Sequence, residues 1–224
     1  MTRLPPITLL VLGLTLVGYP AFRMAVSYLD LFPAEGAAAQ WWTLWLVIFA
    51  GHWLCVALVL GAIAAEGRTL TSIGLDLGLF RRRAPFFILA LVAFAAAAYA
   101  APAFHYGSDP PDQMLSHPLG PVTVEQRLFW IAMALTAGFT EEIIYRGFAI
   151  VRLRALAGLP VALLASIASF ALMHGPSAFA PQLLALYLVS GVAFSAAFLM
   201  FKSRRLEILI IVHALLDLLL VTAP

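Results

Sequence analysis

The sequence predicts an all-α fold, a polytopic transmembrane helix bundle of about seven spans with the N-terminus inside and the C-terminus outside. Three observations carry that prediction. Hydrophobic residues fill 63% of the 224 positions and charged residues only 11%, where a soluble domain carries about 25% charged residues. The apolar residues fall into seven runs, each of about 16 to 26 residues, which suits a hydrocarbon core about 30 Å thick. The basic residues are distributed asymmetrically between those runs, as the positive-inside rule requires.

The first run, residues 7–32, follows Arg3 and is interrupted by Arg23. A basic residue ahead of an apolar run also describes a signal peptide. This run continues past Pro20 without a small-x-small cleavage site, so it reads as an uncleaved first span. The second, residues 41–65, opens with Trp41, Trp42 and Trp45, placed as interfacial anchors, and Trp130 has the same place near the outer end of the fourth. His52 lies inside the second span with no carboxylate or second histidine one turn away, so it reads as a packed or hydrogen-bonded side chain. Cys55 is the one cysteine, which excludes an intramolecular disulfide and a Cys-based metal knuckle and predicts a buried thiol.

Residues 66–85 leave the membrane through Gly74, Asp76 and Gly78 and end on Arg81, Arg82 and Arg83, a run suited to anionic headgroups. The third span covers residues 85–105. Residues 105–125, with four prolines and two glycines, read as an external loop holding solvated His105 and His117 and long enough to cover an external opening. The remaining spans are residues 126–151, 159–174, 181–201 and 206–222. With the N-terminus inside, Arg3, Arg68, Arg81, Arg82, Arg83, Arg152, Arg154, Lys202, Arg204 and Arg205 all lie inside, ten of the thirteen basic residues. The outside segments hold Glu35, Asp109, Asp112 and Glu125 and no Lys or Arg. There is no internal repeat, so residues 1–224 read as one integral membrane domain with a motif-bearing core at about 126–222.

The fourth span carries the expensive chemistry. Residues 136–146, Thr-Ala-Gly-Phe-Thr-Glu-Glu-Ile-Ile-Tyr-Arg, place two carboxylates and a guanidinium in an apolar run, where each charge costs about 2.5 to 3.5 kcal/mol and marks a functional site by default. Glu142 and Arg146 are i and i+4 with the acid first, the favourable order for a helical ion pair. Glu141 sits about 100° round the axis. One carboxylate is thus spent on the arginine and the other is available, and a carboxylate withdrawn from water is a competent base near neutral pH. A structural salt bridge, with Glu141 turned to a water-filled crevice, fits these residues too.

Two further pairs have helical spacing. Phe170 and His174 close the fifth span before Gly175-Pro176, and His213 and Asp217 share one face of the last. At about 1.5 Å of rise per residue, Glu141 lies roughly 15 Å, His174 about 22 Å and His213 about 10 Å from the inner ends of their spans, so all three fit a common middle depth. Such a convergence needs a polar cavity in the bilayer.

Glu141-Glu142-x-x-x-Arg146, Phe170-x-x-x-His174 and His213-x-x-x-Asp217, in that order on separate predicted helices, resemble the three motifs of the CAAX-protease and bacteriocin-processing (CPBP, or Abi) family of intramembrane endopeptidases. The similarity covers about residues 128–220, with a fainter likeness at residues 74–80. This chain has Asp217 where many members have Asn, and an ionised aspartate accepts hydrogen bonds or binds a cation but donates none. The resemblance implies a peptidase cutting near the C-terminus of a membrane-anchored or lipidated protein, with Glu141 as base and His174 as its partner. Glu142 and Arg146 would hold the site together and His213 and Asp217 would stabilise the oxyanion or a ligand. Its substrate would be a CAAX-like prenylated end, a leader peptide or a C-terminal sorting signal, and its place a bacterial inner (cytoplasmic) membrane.

The external loop and the outward position of His174 favour an exported substrate. A glutamate-dependent mechanism with no cofactor is favoured. Zinc or another divalent metal on Glu141, His174 and His213 is the alternative, although the His-Glu-x-x-His helix of zinc proteases is absent. The serine and aspartyl intramembrane protease motifs are absent as well, and no nucleic-acid partner is expected. Two other readings stand: a non-catalytic immunity or membrane scaffold protein, and a proton-coupled transporter, whose usual matched broken repeats are missing.

Overall fold

The computed structural model describes residues 4–28, 35–76, 121, 123–200 and 205–222, with scattered positions between 78 and 93. Most of the predicted third span, most of the loop at residues 105–125 with its His105 and His117, and Arg3, Arg83, Lys202 and Arg204 lie outside the described residues. The described secondary structure is helical: α1 (Pro6–Tyr28), α2 (Ala37–Ala65), α3 (Val124–Ala157), α4 (Leu159–Leu172), α5 (Pro181–Met200) and α6 (Leu206–Thr222). These coincide with six of the predicted runs. Among the described residues four helices, α1, α2, α3 and α5, are long and apolar enough to cross a bilayer. Large apolar side chains such as Leu164 (71% exposed) and Met200 (80% exposed) point outward, as lipid-facing surface does in an all-α integral membrane protein.

Local sequence explains the helix boundaries. Pro6 and Pro160 sit in first turns, where the missing N–H costs nothing. Gly158 joins α3 to α4 at φ +86°, a backbone state that favours glycine. Two stretches depart from the regular α-helix that the spacing predicts. Leu14–Gly18 in α1 and Glu142–Ile150 in α3 are π-helical, a widened form that commonly marks functional positions. The Ser166 hydroxyl donates to the Tyr145 carbonyl at 2.9 Å, giving the irregular stretch of α3 a hydrogen bond from α4.

The chain forms two compact units, Met1–Leu77 with Thr140–Leu209 and Gly78–Phe139 with Ile210–Pro224. In the first, a buried ion network ties helix ends together. Arg152 closes on Glu66 through Nε at 3.0 Å and Nη2 at 2.7 Å, Thr8 donates to the same carboxylate at 2.7 Å, and Arg152 Nη2 reaches Ser72 at 3.1 Å. Arg152, expected among the basic residues of the inside segments, is a core residue. Trp41, expected as an interfacial anchor, is likewise buried, its ring edge-on to Trp42 at 4.9 Å. Cys55 is buried as expected. Gly147 allows close approach, since a Cβ there would lie 2.9 Å from Leu206 Cδ2 and 3.1 Å from the Ile73 carbonyl oxygen. The start of α6 is pinned alongside by Leu206 N–H donating to the Gly74 carbonyl at 3.0 Å.

In the second unit Gly138 allows a close helix approach. A Cβ on it would fall 2.5 Å from the Ala214 backbone nitrogen, so only glycine lets α3 meet α6 there.

Candidate active site

The two adjacent glutamates have different surroundings, and that difference defines the site. Arg146 Nη1 donates to Glu142 Oε1 at 2.9 Å, and both residues have no solvent exposure. The guanidinium carbon lies 4.3 Å from the centre of the Phe170 ring and 5.3 Å from that of Phe194, so aromatic faces take up part of the cation's desolvation cost. Arg146 Nε and Nη2 have no hydrogen-bond partner among the described residues. This pair makes the buried ion contact that its i,i+4 spacing predicts.

Glu141, the last residue before the π-helical stretch, is 3% exposed and faces α2. His52 Nε2 is 4.0 Å from Glu141 Oε1, while His52 Nδ1 is 2.7 Å from the Thr140 hydroxyl. A neutral His52 with its proton on Nε2 accepts from Thr140 and turns a donor toward the carboxylate. The Tyr19 ring meets His52 edge-on at 5.5 Å, and its hydroxyl donates to the Ile48 carbonyl at 3.3 Å, which holds the imidazole from the α1 side. A Cβ on Gly51 would fall 2.6 Å from the Tyr19 ring, so the glycine beside His52 makes room for that tyrosine.

His174 sits half-buried at the corner after α4. Its Nδ1 lies 2.8 Å from the Phe170 carbonyl oxygen, which only accepts, so Nδ1 is the donor, and in the neutral ring the lone pair is on Nε2. The second motif thus fixes a tautomer, with Phe170 also edge-on to the imidazole at 5.2 Å. Tyr187 of α5 stacks on the other side at 3.8 Å and 17°, and Ser177 ties that tyrosine to the His174 carbonyl through contacts of 3.1 and 2.9 Å. Gly175 turns the chain at φ +71°. Arg23 Nε donates to the Met173 carbonyl at 2.9 Å, bracing the corner from α1.

Glu141, Glu142, Arg146 and His174 belong to the first unit, and His213 and Asp217 to the second. There His213 Nε2 is 3.6 Å from Asp217 Oδ2, an i,i+4 ion-pair contact as the spacing predicts. Among the described residues no three His, Cys, Asp or Glu side chains are grouped at metal-ligand spacing.

Sequence reasoning assigned no role to the contacts of His52, Arg23 and Tyr187. His52 meets residues 88 and 89 positions away, and Arg23 meets one 150 positions away, so helical spacing is silent about both. The available signal was their polarity inside apolar runs, which is costly unless used.

No curated protein and no solved structure matches this chain. Residues 123–219, which contain Glu141, Glu142, Arg146, His174, His213 and Asp217 but neither Arg23 nor His52, match the family model described as Type II CAAX prenyl endopeptidase Rce1-like.

Proposed function

We propose that this protein is an intramembrane endopeptidase that hydrolyses a peptide bond near the C-terminus or membrane anchor of a membrane-associated, lipidated protein. The observation that carries the reading is the division of labour between the adjacent carboxylates: Glu142 is committed to Arg146, while Glu141 is buried against a hydrogen-bonding imidazole. In this reaction Glu141 takes a proton from water as its oxygen attacks the scissile carbonyl carbon. The tetrahedral intermediate then collapses with cleavage of the C–N bond, and Glu141 passes the proton it took from water to the leaving amine. His174 Nε2, the lone-pair nitrogen of its tautomer, orients the water, and His213 with Asp217 stabilises the oxyanion. The similarity of residues 123–219 to CAAX endopeptidases supports the class of substrate. The seven-span, N-in and C-out arrangement belongs to the same proposal, supported by the basic residues, and places His174 toward the outside with an exported substrate.

The test is incubation of the purified protein with lipidated membrane peptides, with and without a strong chelator, followed by mass analysis of the fragments. A single cut near the C-terminus that survives chelation is expected. Loss of cleavage on chelation would move the chemistry to a metal, no cleavage of any peptide would favour a scaffold, and a cut on the cytoplasmic side would overturn the topology.

A further inference from the structure

Arg23 is a guanidinium in the first apolar span, outside the segment that matches the family model, and the reaction above leaves it unused. Its Nε is fixed on the carbonyl of Met173, the residue before His174. Its own carbonyl oxygen lies 3.8 Å from the position a Cβ on Gly175, the residue after His174, would occupy. The arm of α1 thus lies directly against the His174 corner.

Two fully buried arginines of this unit show what a structural cation looks like here, whereas Arg23 is half-buried. Arg146 and Arg152 each close on a carboxylate, at 2.9 and 2.7 Å. Arg23 has no carboxylate within 4.0 Å among the described residues, and its one hydrogen bond there uses Nε alone. Among the described residues nothing hydrogen-bonds Nη1 or Nη2, the two groups whose geometry grips a carboxylate. An arginine does not shed its proton to escape the apolar environment, so an anion at this edge would complete the span.

We propose that Arg23 is the anchor for the free C-terminal carboxylate of the substrate, a proposal that rests on the peptidase reading of the same site. An extended chain covers at most about 3.3 to 3.6 Å per residue. A carboxylate two or three residues past the scissile bond therefore reaches a group that adjoins His174. Arg23 then sets how far from the C-terminus the cut falls, and an internal segment, with an amide in place of the carboxylate, loses the anchor.

Binding is the direct test because it is independent of cleavage. An N-acetylated apolar tripeptide and its C-terminal amide, mimics of the released fragment, are titrated calorimetrically into the full-length protein in detergent. Wild type is expected to bind the acid about tenfold to a hundredfold more tightly than the amide, Arg23→Gln to bind both equally weakly, and Arg23→Lys to keep part of the difference. Equal binding of acid and amide by wild type, or an unchanged preference in Arg23→Gln, would overturn the proposal; if Arg23→Gln does not fold, the wild-type and Arg23→Lys titrations decide it. On a cleavable peptide, Arg23→Gln should raise KM for the acid and not for the amide, whatever loss of kcat the two substrates share through the weakened corner. A fall in kcat on both with no change in the KM ratio of acid to amide would mean that Arg23 only braces the corner. A wild type that cleaves nothing yet prefers the acid would sink the peptidase reading and leave the anchor standing.

Discussion

Removing one partner of the Glu142–Arg146 pair should cost more than removing both. The ions meet at 2.9 Å with side-chain exposures of 0% and 1%, so solvent screens neither. Breaking a buried pair from one side typically costs about 3 to 5 kcal/mol, because an uncompensated charge remains, whereas replacing both partners by well-packed groups is often nearly neutral. At 1.4 kcal/mol per factor of ten, a single substitution should shift the unfolding equilibrium by roughly two to four orders of magnitude. The singles are not equivalent. In Arg146→Met the stranded carboxylate can take up a proton and become neutral, but in Glu142→Gln the stranded guanidinium cannot. The aromatic contacts return only about 2 kcal/mol of that loss. The predicted order of destabilisation is Glu142→Gln, then Arg146→Met, then the double variant, read from equilibrium unfolding in mixed detergent micelles. A double variant as unstable as the sum of the singles, or an Arg146→Met protein as stable as wild type, would refute the assignment of this pair as a structural brace.

His52 should behave as a positioning residue for Glu141: His52→Leu is expected to lower kcat by up to about a hundredfold with little change in KM, and His52→Gln, which keeps a donor where Nε2 stands, should retain more activity than His52→Asn. Steady-state rates on one peptide decide this, and identical losses in Gln and Asn would count against it. Gly147→Ala should destabilise by about 1 to 3 kcal/mol, since its Cβ would crowd Leu206 and the Ile73 carbonyl. Gly61→Ala in α2, with nothing within 4 Å, should be neutral or stabilising by up to about 1 kcal/mol, the two melting temperatures serving as mutual controls. Gly138→Ala should disrupt the second unit more severely, because the obstacle there is the Ala214 backbone and not a movable side chain.

The parts of this structure legible in the sequence are those governed by local periodicity. Apolar runs marked six of the described helices because a bilayer-spanning helix must be apolar over most of its length. Four-residue spacing marked both the Glu142–Arg146 and His213–Asp217 contacts because such neighbours share a helix face. The illegible parts depend on which helices pack together. The carboxylate that meets His52 comes from α3, the carbonyl that fixes Arg23 from the end of α4, and the ring that stacks on His174 from α5. The π-helical stretch after Glu141 escaped for a related reason: its pattern of buried side chains passes for an ordinary helix in one dimension. Trp41 and Arg152 show the same limit, since residue type suggested an interfacial anchor for the one and an inside basic residue for the other, and tertiary packing took both into the core.

The role of Glu141 is the claim on which the account stands. The most direct measurement compares wild type with Glu141→Gln on one lipidated peptide, with unfolding curves recorded on the same preparations. An unchanged unfolding midpoint with cleavage reduced by about 10² to 10⁴ is predicted, the range expected for loss of a general base. Cleavage at the wild-type rate in folded Glu141→Gln protein would contradict it.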